Sequence, residues 1–168
     1  MNTTWRETEA SARRYTLAFG IGAKDIDFMG HANNASYLTW IQEVVLAHWR
    51  RFAPKEAVAA YLWVALKHEI SYRNPGFRDD RVAIVSRFER FKGARAFHRT
   101  VIKRGEEVLA EARSVWCCLD AKTRRPARIS EALANVFAAT EEDPGPEKRG
   151  ASGIGGERGG QQPLPTNW

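Results

Sequence analysis

The sequence predicts an α+β domain, with an antiparallel sheet of about five strands wrapped around one long central helix. Three observations lead there. Residues 34–52 place apolar side chains around most of a helical circumference, one period-two segment precedes them, and four more joined by short turns follow. Short turns between neighbouring strands imply antiparallel hairpins, and a helix that is apolar on nearly every side needs a sheet folded over it.

In chain order, Tyr15, Leu17, Phe19 and Ile21 alternate with Arg14, Thr16, Ala18 and Gly20, the pattern of a half-buried strand. The helix is predicted over residues 34–52. Tyr37, Leu38, Trp40, Ile41, Val44, Val45, Leu46 and Trp49 leave only a narrow polar stripe of Ser36, Thr39, Glu43 and Arg50, so it should be largely enclosed. Asn33 or Asn34 suits the N-cap, because its side-chain oxygen can accept an N–H that the first turn leaves unpaired. After Ala53 and Pro54, the residues Leu62, Val64, Leu66, His68, Ile70 and Tyr72 form one face of a strand that ends at Asn74, Pro75 and Gly76. Strands over 82–91, 95–103 and 108–119 follow, with turns at Lys92 and Gly93 and at Arg104 and Gly105. A brief helix over 130–139 completes the domain.

The 168-residue chain is 43% hydrophobic and 27% charged, ordinary values for a soluble globular protein. Residues 141–168 depart from this. They hold seven of the 13 Gly and four of the 7 Pro, with Ile154, Leu164 and Trp168 as their only large apolar residues. Such a segment cannot bury enough surface to offset chain entropy and reads as a disordered C-terminal tail, leaving 1–140 as the folded domain. The formal charge is +6; the tail carries three basic and five acidic residues, so 1–140 stands at +8. That excess favours anionic partners.

Several classes are excluded. No apolar run is long enough for a membrane span, and the polar N-terminus lacks a signal-peptide core. Cys117 and Cys118 are adjacent, which suits neither a disulfide framework nor an unaided zinc site; a reducing cytoplasm is expected. The strand meander contradicts a haloacid-dehalogenase-like reading of Asp25 and Asp27, and no Gly-x-Ser-x-Gly occurs. Arg124, Arg125 and Arg128 lie in a turn region, so no nucleic-acid module is expected.

Residues 25–43 read DIDFMGHANNASYLTWIQE. This segment resembles the signature Asp-x-x-Gly-His-x-Asn-Asn-x-x-Tyr of hotdog-fold acyl thioesterases of the 4-hydroxybenzoyl-CoA thioesterase type; plant acyl-ACP thioesterases carry a close variant ending in Trp-Ile-x-Glu. The matching positions are Asp27, Gly30, His31, Asn33, Asn34, Tyr37, Trp40, Ile41 and Glu43. The stretch containing Glu69, Tyr72, Pro75, Asp80 and Val82 is similar to the same family. Two departures stand out: Ala32 replaces a common Val, and no Arg follows Glu43 until Arg50. The resemblance implies a hotdog fold and hydrolysis of an acyl thioester, acyl-CoA or acyl-ACP, without a metal or cofactor. It also implies a homodimer or dimer of dimers with the site between subunits. The catalytic carboxylate aligns with Asp27 rather than Asp25, and a polarising amide with Asn34.

The chemistry of the segment agrees. Thioester hydrolysis needs a base or nucleophile, a donor to the carbonyl oxygen and a groove for the acyl chain. Gly30 lets the chain bend tightly before the helix, whose unpaired N–H groups and positive dipole end then face the loop carrying Asp27. Asp27 (base or nucleophile), His31 and Asn34 are the catalytic candidates; Gly30, Asn33, Tyr37 and Glu43 are candidates for holding substrate. Each has a plainer reading. Asp27 alone would be a cap or a loop residue, His31 a loop staple, Asn33 and Asn34 caps, and Glu43 half of a salt bridge that fixes the helix. His68 reads as a satisfied core histidine and the cysteines as strand filler.

Lys92 and Arg95, with Arg99, lie near a hairpin and are candidates for the phosphates of coenzyme A or the acidic helix of an acyl carrier protein; solvated turn charges are the plainer reading. Phe28, Tyr37, Trp40, Trp63 and Phe97 are available for an acyl pocket. A hotdog module that binds an acyl-CoA or acyl carrier without cleaving it needs the same groove and is the alternative. Unpaired sheet edges favour at least a dimer.

Overall fold

In the computed structural model, which describes residues 13–138 and 146–149, β1 (Arg14–Gly20) leads through a 3-10 turn (Ala23–Asp25) into α1 (Asn34–Phe52). A short α2 (Lys55–Ala60) precedes β2 (Tyr61–Tyr72), β3 (Arg81–Lys92), β4 (Arg95–Arg104) and β5 (Glu107–Asp120), with α3 (Glu131–Ala138) and β6 (Glu147–Lys148) last. The sheet runs β2-β5-β4-β3-β1-β6 and is antiparallel throughout except for the β1–β6 pair. The sheet thus has six strands, the last of only two residues, where about five were expected.

One face of the sheet covers α1. Trp40, Ile41 and Val44 are 0% exposed and pack with Leu17, Phe19, Ile84 and Trp116 from the strands. Burial of such side chains contributes roughly 1.5–3 kcal/mol each. At the far end of α1, Phe137 of α3 stacks on Trp49 with ring centroids 5.5 Å apart. The same core encloses a polar chain. Ser86 Oγ lies 3.0 Å from His48 Nδ1 and 2.8 Å from His98 Nε2, and Thr100 Oγ1 lies 3.3 Å from His98 Nδ1.

Three features depart from the sequence reading. The helix α2 was unexpected; its six residues are too few to show a period. On β2, one face does not run unbroken from Leu62 to Tyr72. The register shifts between Ala65 and Lys67, so Leu66 bulges outward at 50% exposure. Trp63 consequently turns inward against Trp49, while His68 and Ile70 still face the core. A single inserted residue flips the inward set, because side chains alternate with period two.

The third departure is the tail. Glu147 and Lys148 pair in parallel with Leu17 and Ala18, and the Arg149 N–H donates to the Ala18 carbonyl at 2.9 Å. The Tyr15 hydroxyl donates to Glu147 at 2.6 Å. At 147–149 backbone pairing along the β1 edge thus takes the place of apolar burial. The 1–140 boundary and the remainder of the tail lie outside the described residues.

Candidate active site

The loop between β1 and α1 is closed on itself. Asp27 N–H donates to the His31 carbonyl at 3.0 Å, Gly30 N–H donates to the Asp27 carbonyl at 3.1 Å, and Ile26 and Ala32 form an isolated antiparallel bridge. Gly30 adopts φ +84°, a left-handed conformation that a side chain disfavours.

The two aspartates of this loop play different parts. Asp25 is 6% exposed; its carboxylate accepts the Gly22 N–H at 3.0 Å, and its carbonyl accepts the Asn33 N–H at 2.7 Å and the Ser36 hydroxyl at 3.4 Å. It ties the loop to the helix start. Asp27 instead reaches the surface. Its Oδ1 accepts the Met29 N–H at 2.8 Å, and its Oδ2 lies 3.9 Å from His31 Nδ1, with the two side chains 15% and 32% exposed. That separation suits a charge contact rather than a hydrogen bond, so Oδ2 keeps its accepting capacity.

Asn33 is the N-cap of α1: its Oδ1 accepts the Ala35 N–H at 2.9 Å. The Asn34 carbonyl accepts the Tyr72 hydroxyl at 3.2 Å, while its N–H makes no hydrogen bond among the described residues. The site thus pairs a carboxylate oxygen with a free backbone donor at the positive end of a helix.

Gly76 holds this loop from the other side. Its carbonyl accepts the Ala32 N–H at 2.7 Å, and its backbone lies against the Tyr37 hydroxyl. A Cβ there would lie 2.8 Å from Ile21 Cδ1 and 3.2 Å from that hydroxyl, so only glycine fits without displacement. Burial raises the Tyr37 phenol pKa above its ordinary value. The adjoining 77–80 turn is clamped by Asp80, which accepts the Phe77 N–H at 2.8 Å and pairs with Arg104.

The predicted residues divide accordingly. Asp27, Gly30, His31, Asn33 and Asn34 come together. Tyr37 is 2% exposed and packs on Trp40 at 4.8 Å, which places it in the core beneath the loop. Glu43 lies about 14 Å further along the α1 axis, where its carboxylate pairs with Arg149 at 2.5 Å. Lys92 and Arg95 face each other across the β3–β4 hairpin. The opposite end of β3 adjoins the Asp27 side of the molecule, where Ile21 N–H donates to the Asp80 carbonyl, so a 12-residue strand of roughly 36 Å intervenes.

The aromatic candidates also disperse. Phe28 is 97% exposed at the loop tip, Trp40 is in the core, and Phe97 lies under Arg90 at 3.9 Å. Three residues near the loop escaped the sequence reading: Gly76, Arg73 and Arg78. The Asn-Pro-Gly turn was the available signal, read there only as a strand end. Cys117 and Cys118 are both buried free thiols, and burial pushes the Cys118 thiol up to about 12. No three His, Cys, Asp or Glu side chains gather as a metal-binding set among the described residues. No described helix is long and apolar enough to cross a membrane.

The model of the thioesterase-like superfamily matches residues 21–137. The chain belongs to this superfamily.

Solved thioesterase structures share its fold. A probable thioesterase from Bartonella henselae is 23% identical, with a TM-score of 0.61 over 70% of this chain and 99% of that one. A 1,4-dihydroxy-2-naphthoyl-CoA thioesterase from Synechocystis is 15% identical, with a TM-score of 0.63 over 74% and 95%. A thioesterase from Thermus thermophilus, solved with coenzyme A and zinc, is 22% identical, with a TM-score of 0.65 over 77% and 95%. A search of curated proteins gave no match. The superfamily match bears out the hotdog thioesterase resemblance seen in residues 25–43.

Proposed function

We propose that this thioesterase-like protein hydrolyses an acyl-CoA or acyl-ACP to a free carboxylic acid and a thiol at the Asp27 loop. One observation carries the reading: Asp27 Oδ1 is fixed by the Met29 N–H while Oδ2 has no hydrogen bond among the described residues, on the loop that leads into the N-terminus of α1. The thioester carbonyl oxygen accepts from the α1 N-terminus, which stabilises the charge it gains as the carbon becomes tetrahedral. Asp27 either takes a proton from the attacking water or attacks the carbonyl itself, giving an acyl anhydride that water then opens; in both routes the thiolate leaves. His31 sits beside the carboxylate and orients it. Gly30 and Asn33 shape the loop around the thioester, and Tyr37 and Gly76 hold that loop from below.

Arg73 and Arg78 are the exposed cations on the segment that adjoins the loop, and they suit the carrier's phosphates better than Lys92 and Arg95 of the same chain. The working unit is a homodimer or a dimer of dimers. The outer edge of β2 has no strand neighbour among the described residues, and Leu66, Tyr72, Phe28 and Met29 lie exposed on it and on the loop. Sedimentation should give at least twice the 19.0 kDa chain mass. The setting is cytoplasmic, where both buried thiols stay reduced.

The direct experiment follows thiol release from a panel of acyl-CoA and acyl-ACP substrates with a thiol-trapping dye. Turnover of at least one acyl group is expected. Tight binding of acyl-CoA without cleavage of any panel member would overturn hydrolysis and leave a binding module.

A further inference from the structure

On the outer face of the sheet, away from α1, four arginines share one cross-strand row. Arg14 is in register with Arg87, Arg87 with Arg99, and Arg99 with Arg113, across β1, β3, β4 and β5. Their chain neighbours Ser86, Phe88, His98, Thr100, Ala112 and Ser114 are buried on the α1 side, so strand alternation turns the arginines outward. Like charges directly opposite one another across strands are destabilising. At the β2 end of the row Glu69 stands directly opposite Arg113; Glu69 also pairs with Lys67 at 3.3 Å, and Glu111 pairs with Arg73 at 3.8 Å. Arg87 and Arg99 form no ion pair among the described residues. Beside the row runs a second one, Thr16, Val85, Val101 and Glu111, with two valines at its centre.

We propose that this face docks an acidic amphipathic helix of a partner protein, with carboxylates on the arginine row and an apolar edge on Val85 and Val101. The spacings agree. Neighbouring strands lie about 4.8 Å apart, and carboxylates three or four positions apart on a helix lie about 5–6 Å apart. Three strand spacings give a line of roughly 14 Å, longer than a single phosphate group. A second copy of the chain would set one arginine row against another, so self-association through this face is opposed. Docking here does not depend on the chemistry proposed at Asp27.

The test titrates the full chain with a fluorescent peptide that forms an acidic amphipathic helix, a proline-interrupted peptide of equal charge, and a short duplex RNA. The helical peptide is expected to bind best, and its binding to weaken as salt rises. The pair Arg87→Gln with Arg99→Gln should weaken it by about tenfold or more, whereas Arg87→Lys with Arg99→Lys should retain most of it. Circular dichroism confirms folding, and the single variant Arg99→Gln serves if the double one unfolds. Equal binding of both peptides, unchanged binding by the Gln variants, or preference for the RNA would each overturn the proposal.

Discussion

Ahead of the N-terminus of α1 lie Asp27 and His31, 15% and 32% exposed, with one carboxylate oxygen bonded and one open. Toward its other end the same helix carries His48, 0% exposed and 3.0 Å from Ser86, which in turn lies 2.8 Å from His98. By residue type the second group looks the more catalytic, since a serine beside an imidazole is the usual makings of an activated nucleophile. Its surroundings decide otherwise. It is walled in by Tyr15, Phe52, Phe88 and Phe137, and no carboxylate orients either ring among the described residues. Access and an unspent acceptor separate the proposed reactive loop from a buried hydrogen-bond chain.

The largest expected consequence of that contrast is acid sensitivity. Burial foremost, then the Arg13 charge, pushes His48 down to about 3, and burial followed by His48 and His68 holds His98 well below its ordinary value. Unfolded histidines titrate at 6.5. Below that pH the unfolded chain takes up protons that the native one refuses, so this stabilisation is complete above pH 6.5 and is lost as pH falls toward 3. Between pH 6.5 and 5 His48 should remove about 1.6 kcal/mol, and His98 should act in the same direction, measurable by urea unfolding at a series of pH values. Stability that stays flat over that interval would mean the rings are accessible, and the contrast would fail.

Next in size is Ser86→Ala, which leaves His48 Nδ1 and His98 Nε2 without their shared partner. It should cost roughly 2–3 kcal/mol in unfolding free energy while turnover per folded molecule stays unchanged. Loss of turnover in a variant that still folds would make the buried serine part of the chemistry.

The smallest effect belongs to Arg149→Ala. Its pair with Glu43 is about a quarter exposed on both sides and lies away from the loop. The expected cost is about 0–1 kcal/mol, with kcat unaltered. A marked change in kcat would return Glu43 to the substrate and sharpen the boundary of the site.

Much of this was legible in the amino-acid sequence, for reasons that can be named. The bounds of α1 were readable because enclosure makes nearly every side of the helix apolar and an Asn caps its start. The choice of Asp27 over Asp25 came from motif alignment alone; that the Asp25 carboxylate is buried and accepts the Gly22 N–H was not legible from the residue types. The bulge at Leu66 was not legible, because a period-two pattern continues through an inserted residue without an obvious break. Nor was β6: two residues pairing along an edge need no apolar signature, only backbone groups facing backbone groups. Lys92 and Arg95 look close to the motif as charges that suit phosphates, but nothing local tells which end of a strand a hairpin occupies.

The most direct test compares kcat and acyl-CoA binding for the native chain and Asp27→Asn. The amide keeps size and the Met29 hydrogen bond but cannot take a proton or attack. The expected result is a fall in kcat of about 100- to 10,000-fold with acyl-CoA affinity and melting temperature nearly unchanged. Full turnover by Asp27→Asn, and again by Asp27→Ala, would contradict the assignment of the chemistry to this loop.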